Sequence, residues 1–232
     1  MDTFADRIIA FNKHLEFVGT LPAGISIMNP FKDNDFAFDV SSKFYRRYYS
    51  DNHPRHLILG INPGRFGSAM TGVSFTDPKR MINNCQLPYT GPITHEPSSE
   101  YVYEMINAFG GPNQFYNHFY IHSVCPLGFT ITGNIGKEVN YNYYDTPGLT
   151  KAVHSFIVSN IQKQIDIGFE TDICFCFGTG KNSVFLNKLN DEYHFFKQII
   201  SLEHPRFIMQ YKSKTKMEYI AKYLNTLKIA LN

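Results

Sequence analysis

Tryptophan is absent from these 232 residues, and cysteine occurs only four times. Cys85, Cys125, Cys174 and Cys176 form no C-x-x-C pair, and neither Cys174 nor Cys176 has a His, Cys or Asp neighbour at metal-ligand spacing. That argues against a disulfide framework, a zinc site and an iron–sulfur cluster. Buried reduced thiols suit the pattern, and with them a cytoplasmic address. Long apolar runs are also missing. The stretch MDTFADRIIAFNKHL is charged throughout, and no segment approaches the length of a membrane span. The sequence therefore predicts a soluble, intracellular protein with no membrane partner. Charge of one sign is lacking too: 22 Lys and Arg against 20 Asp and Glu leave a net +2, too little for bulk electrostatics to select a polyanionic partner.

What is present is a large apolar fraction, 43%, enough to build one substantial core in a chain of this length. Residues 1–232 read as a single domain, with residues 1–50 as a helical N-terminal extension packed on it. Phe (21) and Tyr (15) are abundant, and position alone separates core filling from stacking surfaces. Between Arg206 and Lys228 six basic residues face one acid, Glu218. That run is either a solvated helix face or a phosphate-facing patch.

Phe4, Ile8, Phe11 and Leu15 recur at helical spacing, predicting a helix over residues 3–18, and a second helix reads over 39–49. Four apolar runs read as strands: HLILG (56–60), FYIHSVCPLGF (119–129, broken at Pro126), DICFCFG from Asp172, and HFFKQIISL (194–202). Helices fit between and after them, near 99–109, 149–167, 180–190 and 213–230. Apolar strands alternating with helices predict an α/β fold, a three-layer α/β/α sandwich around a central, mostly parallel four-stranded sheet. After each strand comes a polar segment with Gly or Pro: 60–78, 125–136, 178–183 and 203–211. In such sheets these segments gather at the carboxyl edge, where ligands bind.

The first of these segments, GINPGRFG, lacks the G-x-G-x-x-G of a dinucleotide site and the G-K-[ST] of a phosphate loop. Asn62 is there either to cap its own turn or to orient a water toward a reacting carbon. An amide is no strong base, so the second role requires a leaving group that departs largely unaided, as in glycosidic cleavage through an oxocarbenium-like transition state. A donor such as His204, just after the last strand, would stabilise charge on that leaving group. The other eight histidines show no partner pattern.

The block LGINPGRFGSAMTGVSFTDP (59–78) resembles the first active-site motif of the uracil-DNA glycosylase superfamily. It is most similar to the single-strand-selective monofunctional branch, in its bacterial second subgroup. HSVCPLGF (122–129), CFGTGKNS (176–183) and LEHPRF (202–207) follow in the order the family has them. The resemblance implies a monofunctional glycosylase of base excision repair that hydrolyses the bond between deoxyribose and uracil, or a related deaminated base. No cofactor and no metal are implied. The partners implied are DNA, single-stranded or damaged duplex, and a flipped base, with the protein acting as a monomer.

Carried over by position, the resemblance makes Asn62 and His204 catalytic. Asn62 directs water, and His204 donates to the uracil O2. Ile61, Pro63 and Gly64 line the base pocket, Phe75 stacks on the base, and Gly72 leaves room in the same loop. Ser123 stands where better-known members carry an Asn that reads the uracil edge, which leaves open the choice among uracil, hypoxanthine and xanthine. The family's H-P-S-P becomes His204-Pro-Arg-Phe here, so Arg206, Gln210 or Tyr211 would be the wedge that holds the DNA open. Lys212, Lys214 and Lys216 would meet phosphates, helped by Lys181, and Arg65 would meet phosphate or narrow the pocket. Tyr89 is either a pocket-closing ring or a packed one. Two other readings remain at this point: a module of this fold that binds DNA or a modified base without turnover, and an enzyme for another nucleoside or small glycoside.

Overall fold

The computed structural model describes residues 2–133 and 136–231. In chain order its strands are β1 (Ile25–Met28), β2 (His56–Gly60), β3 (Phe119–Ser123), β4 (Gly128–Thr132), β5 (Glu138–Tyr141), β6 (Glu170–Phe177) and β7 (Gln198–Leu202). Four of them form a sheet in the order β3-β2-β6-β7, with each neighbouring pair parallel. Every residue of β2 and β3 is buried, as a parallel sheet covered on both faces requires.

Side-chain alternation along the strands sets the two covering layers. On one face Tyr120 stacks on Phe169, and His122 meets Phe11 of the helix Phe4–Lys13 edge to face. On the other, Phe119 and Phe175 meet each other, Phe119 reaches Phe109 and Phe115, and Phe177 reaches Tyr223. The helices Phe4–Lys13 and Pro147–Gly168 pack together in one layer, and Pro97–Phe109 packs with Lys216–Leu227 in the other. The result is a three-layer α/β/α sandwich.

Local sequence starts these helices. Thr3 and Asp6 form a reciprocal capping box at the first. Thr146 caps Pro147–Gly168 by accepting the Leu149 N–H at 3.3 Å. Five helices among the described residues carry proline in the first turn, where its missing N–H leaves no bond unmade.

Arg55 ties the N-terminal helices to the sheet. Its side chain is fully buried, yet it donates to both Asp51 carboxylate oxygens (2.6 and 2.9 Å) and to the Tyr116 carbonyl (2.9 Å). Its guanidinium also lies over the rings of Phe4 and Tyr49.

Several elements differ from the sequence expectation, and the helix expected over 3–18 already ends at Lys13, with His14 as its C-cap. The run 119–129 is two strands in two sheets, because Pro126 has no N–H to continue a ladder. β3 stays in the parallel sheet, while β4 joins β1 and β5 in a separate antiparallel sheet of order β1-β4-β5. The expected strand from 194 begins only at Gln198, because His194 closes the preceding helix at φ 54°. The helix expected from 39 begins at Asp35, capped by Asn34.

Candidate active site

Because β2, β3, β6 and β7 are parallel, their carboxyl ends share one edge, and a cavity of about 530 Å³ opens there. The segments following β2 and β7 and the last residue of β3, Ser123, line it, together with Glu96, Ser98 and the strand-and-turn residues Asn140, Asn142 and Tyr144. The segment after β6 stands behind the wall instead. Asn182 donates from Nδ2 to the Gly60 carbonyl (3.4 Å), and Gly178 packs against the Cβ of His204.

Asn62 leaves β2 by two residues and is gripped by the small antiparallel sheet. Its Nδ2 donates to the Tyr141 carbonyl, and its Oδ1 accepts the Tyr143 N–H, both at 3.2 Å. Tyr143 is itself fixed, since its hydroxyl donates to Asn182 Oδ1 at 2.8 Å. Nearby, the Arg65 N–H donates to Asn140 Oδ1 at 3.1 Å. The β4–β5 sheet thus pins both ends of the loop 62–65 and sets the amide plane of Asn62. Among the described residues Oδ1 accepts only the Tyr143 N–H, which leaves its second lone pair free.

Phe75 sits at φ 52°, a left-handed conformation unusual for a bulky residue. The turn that holds it there is bonded from two neighbouring helices: Tyr45 donates to the Gly72 carbonyl (3.3 Å), and the Thr76 and Tyr103 hydroxyls bond at 3.0 Å. That backbone aims the Phe75 ring between Phe177 and His204, with centroids 5.5 Å from each. Gly60 is required beneath it, because a Cβ there would stand 2.8 Å from Phe75 Cε2. Across the cavity Ser123 ends β3, paired with Gly60 and buried. Its hydroxyl makes no bond to a protein group among the described residues.

His204 caps the helix Pro205–Tyr211, and its Nδ1 accepts the Arg206 N–H at 3.1 Å. Desolvation first, and the Arg206 guanidinium second, bring its pKa down to about 4. The ring is therefore neutral near pH 7. With Nδ1 occupied as an acceptor, the proton belongs on Nε2, which becomes a donor.

Glu96 is a member of the site that the sequence reading missed. Its carboxylate lies over the glycine loop, so that a Cβ on Gly67 would stand 1.9 Å from Oε2 and one on Gly64 3.2 Å from Oε1. Ser99 donates to it at 3.3 Å. Burial, then the nearby Asp77 carboxylate, raises its pKa, and Arg206 opposes them. Nothing in HEPSSE distinguishes this Glu from an ordinary acid at a helix start. Asn140, Asn142 and Tyr144 were also missed, since they reach the cavity only through the fold of the second sheet.

Ile61, Asn62, Pro63, Gly64, Phe75, Ser123, His204, Arg206, Gln210 and Tyr211 all line the one cavity. Gly72 does not. It closes the helix Ser68–Thr71 at φ 69°, wedged against Phe31, the Ala37 carbonyl and Ser41, so its task is a helix end against the N-terminal helices. Arg65 lies on an adjoining cavity, and Lys181 borders another, 5.9 Å from the Tyr144 ring centroid. Lys212 and Lys214 are exposed beyond the helix Pro205–Tyr211, whereas Lys216 is paired with Glu104 (2.5 Å) and Lys222 with Glu203 (2.7 Å). The basic run is thus partly a paired helix face. Segment 203–211, read from the sequence as a polar segment with Pro, is mostly helix because Pro205 follows a capping His204. Tyr89 is packed, donating to the Met70 carbonyl at 3.1 Å, and does not line the cavity. Among the described residues no three His, Cys, Asp or Glu side chains cluster as metal ligands.

Comparison with known proteins agrees with this geometry. The family model described as the uracil DNA glycosylase superfamily matches residues 47–228. The single-strand selective monofunctional uracil-DNA glycosylases of Rattus norvegicus and Mus musculus are each 29% identical over 131 residues, covering 47% of this chain and 43% of theirs. This chain thus spans less than half the length of those two relatives. The crystal structure of wild-type SMUG2 from Pedobacter heparinus is 59% identical, with a TM-score of 0.97 over 99% of this chain and 98% of that one. A sheet edge that brings Asn62, Phe75, Ser123 and His204 to one cavity, on a chain matched over most of its length, places this protein in the uracil DNA glycosylase superfamily, in its single-strand-selective monofunctional-like branch.

Proposed function

We propose that this protein is a monofunctional DNA glycosylase that hydrolyses the N-glycosidic bond of uracil or a related deaminated base. The observation that carries the reading is the convergence of Asn62, Phe75, Ser123 and His204 on one cavity. A base flipped from DNA enters that cavity and lies against the Phe75 ring. The free Oδ1 lone pair of Asn62 holds a water toward C1′, and the glycosidic bond breaks ahead of attack, leaving an oxocarbenium-like sugar and a base anion. His204 Nε2–H meets the charge developing on the base oxygen. A neutral donor suits this step, because it stabilises the anion without protonating it. Water then adds to C1′, its proton leaves to solvent, and the products are an abasic site and the free base. No lysine is among the described residues lining the cavity, which supports hydrolysis without a Schiff base to the sugar.

Ser123 governs breadth. One rotatable hydroxyl can donate to or accept from a base edge, so it does not impose the paired donor and acceptor pattern of an amide. Hypoxanthine and xanthine are therefore substrates beside uracil. Arg206, Gln210 and Tyr211 stand at the cavity mouth and hold the strand open, while Arg65, Lys181, Lys212 and Lys214 meet phosphates. The protein works as a monomer, with residues 1–50 packed on the domain as two helices and the strand β1, which joins the second sheet. The test is release of free base from single- and double-stranded oligonucleotides carrying uracil, hypoxanthine or xanthine. Product strands that break only after alkali treatment mark a monofunctional enzyme. DNA binding with no base released from any of them would leave a binding module instead.

A further inference from the structure

A second cavity of about 570 Å³ adjoins the base pocket, sharing Glu96, Ser98, Asn140, Arg206 and Gln210 as a common wall. Its size is that of a small-ligand site. Its lining differs from that of the base pocket in having a ring and a guanidinium side by side, with apolar side chains beyond. Phe66 is 50% exposed, an unusual position for a large apolar ring. The Arg65 guanidinium lies over that ring at 5.0 Å. Arg65 Nε is buried and has no hydrogen-bond partner among the described residues, although a buried N–H is normally satisfied. Val139 and Met209 supply the apolar surface.

We infer that this cavity is a subsite for the nucleobase next to the excised one in a single strand. The inference rests on the glycosylase reading of the neighbouring pocket. A planar aromatic ligand fits a wall made of a ring and a guanidinium, because every nucleobase has a face to stack on either. The two arginines, 65 and 206, stand at its sides, where the phosphate joining the two nucleotides would run. The Arg65 guanidinium, stacked over the Phe66 ring, brings the positive charge that faces that phosphate. Duplex DNA offers no such ligand, since the neighbouring base remains stacked and paired while only the damaged nucleotide is extruded. The subsite is thus a physical source of preference for single strands, and the rim it shares with Glu96 couples its occupancy to the shape of the base pocket.

Single-turnover release of uracil is measured on single-stranded oligonucleotides in which the nucleotide on the 5′ or 3′ side of uracil is replaced, one side at a time, by an abasic tetrahydrofuran spacer. Loss of about tenfold is expected on one side only, the value of one stacked base. Phe66→Ala gives a similar loss on the intact strand, and the two losses do not add, because both remove one contact. A second arm uses 2-aminopurine beside a non-hydrolysable 2′-fluoro-deoxyuridine. Its fluorescence changes on binding to wild type, and that change is lost in Phe66→Ala and in Val139→Trp, which fills the cavity. Equal rates with and without the spacers, or a fluorescence change untouched by both variants, would overturn the subsite. Absence of base release from every substrate would defeat the glycosylase reading instead, and the fluorescence arm still decides the subsite on uncleaved DNA.

Discussion

Replacing His204 separates the helix cap it forms from the donor role proposed for it. In the wild type Nδ1 accepts the Arg206 N–H at 3.1 Å and caps a helix of seven residues, which leaves Nε2 as the donor on a side chain that lines the cavity. Alanine removes both functions. Loss of a cap costs about 1 kcal/mol of stability, and loss of one donor to a developing oxyanion costs about a hundredfold to a thousandfold in rate. His204→Asn divides them: its amide oxygen restores the cap, but its nitrogen stops short of the base. The expected result is a denaturation midpoint close to wild type with a single-turnover rate still about a hundredfold down. The pH profile adds a check on charge. With burial holding the His204 pKa at about 4, the wild-type rate stays level from pH 8 to 5.5 and falls only toward pH 4 as the donor ring becomes an imidazolium and its cap bond breaks. A rate that climbs as pH falls through 6.5, or a His204→Asn variant within threefold of wild type, would refute the neutral-donor argument.

Phe75→Ala removes the stacking surface beside His204 and should slow base release by about tenfold to a hundredfold, with single-turnover kinetics as the readout. Asp51→Ala leaves the fully buried Arg55 guanidinium without its carboxylate and should cost about 3–5 kcal/mol in urea denaturation, with no direct effect on the active-site geometry. His122 is buried against Phe11 and Tyr120, and desolvation lowers its pKa from 6.5 to about 4. Between those values the unfolded chain takes up a proton that the folded chain refuses, so stability is full above pH 6.5 and declines as pH falls toward 4. The full loss is about 3 kcal/mol. His122→Phe should flatten that part of the profile when melting temperature is followed against pH.

The parallel sheet was legible because β2, β3 and the end of β6 are buried on both faces, which leaves short unbroken apolar runs in the sequence. β1 and β5 were not, since each has four residues of mixed exposure and no two-residue alternation strong enough to read. The merging of β3 with β4 has a specific cause. Cys125 and Leu127 are buried like strand residues, and only the direction of the chain after Pro126 separates the sheets. At the site, Asn62 and His204 were legible because each follows a strand directly in a dense motif. Glu96, Asn140 and Tyr144 lie 34, 78 and 82 residues beyond Asn62, and tertiary folding alone brings them to the same cavity. Gly72 was misassigned because a glycine with positive φ leaves the same trace in sequence whether it meets a ligand or ends a helix.

The central claim is that Asn62, clamped by Tyr141 and Tyr143, directs water onto the sugar of a flipped deaminated nucleotide. Its most direct test is the single-turnover rate of uracil release from a single-stranded oligonucleotide by wild type and by Asn62→Ala, with DNA affinity measured in parallel. The account predicts a rate at least about a hundredfold lower in the variant with affinity preserved. A variant that releases uracil within a few-fold of the wild-type rate would contradict it.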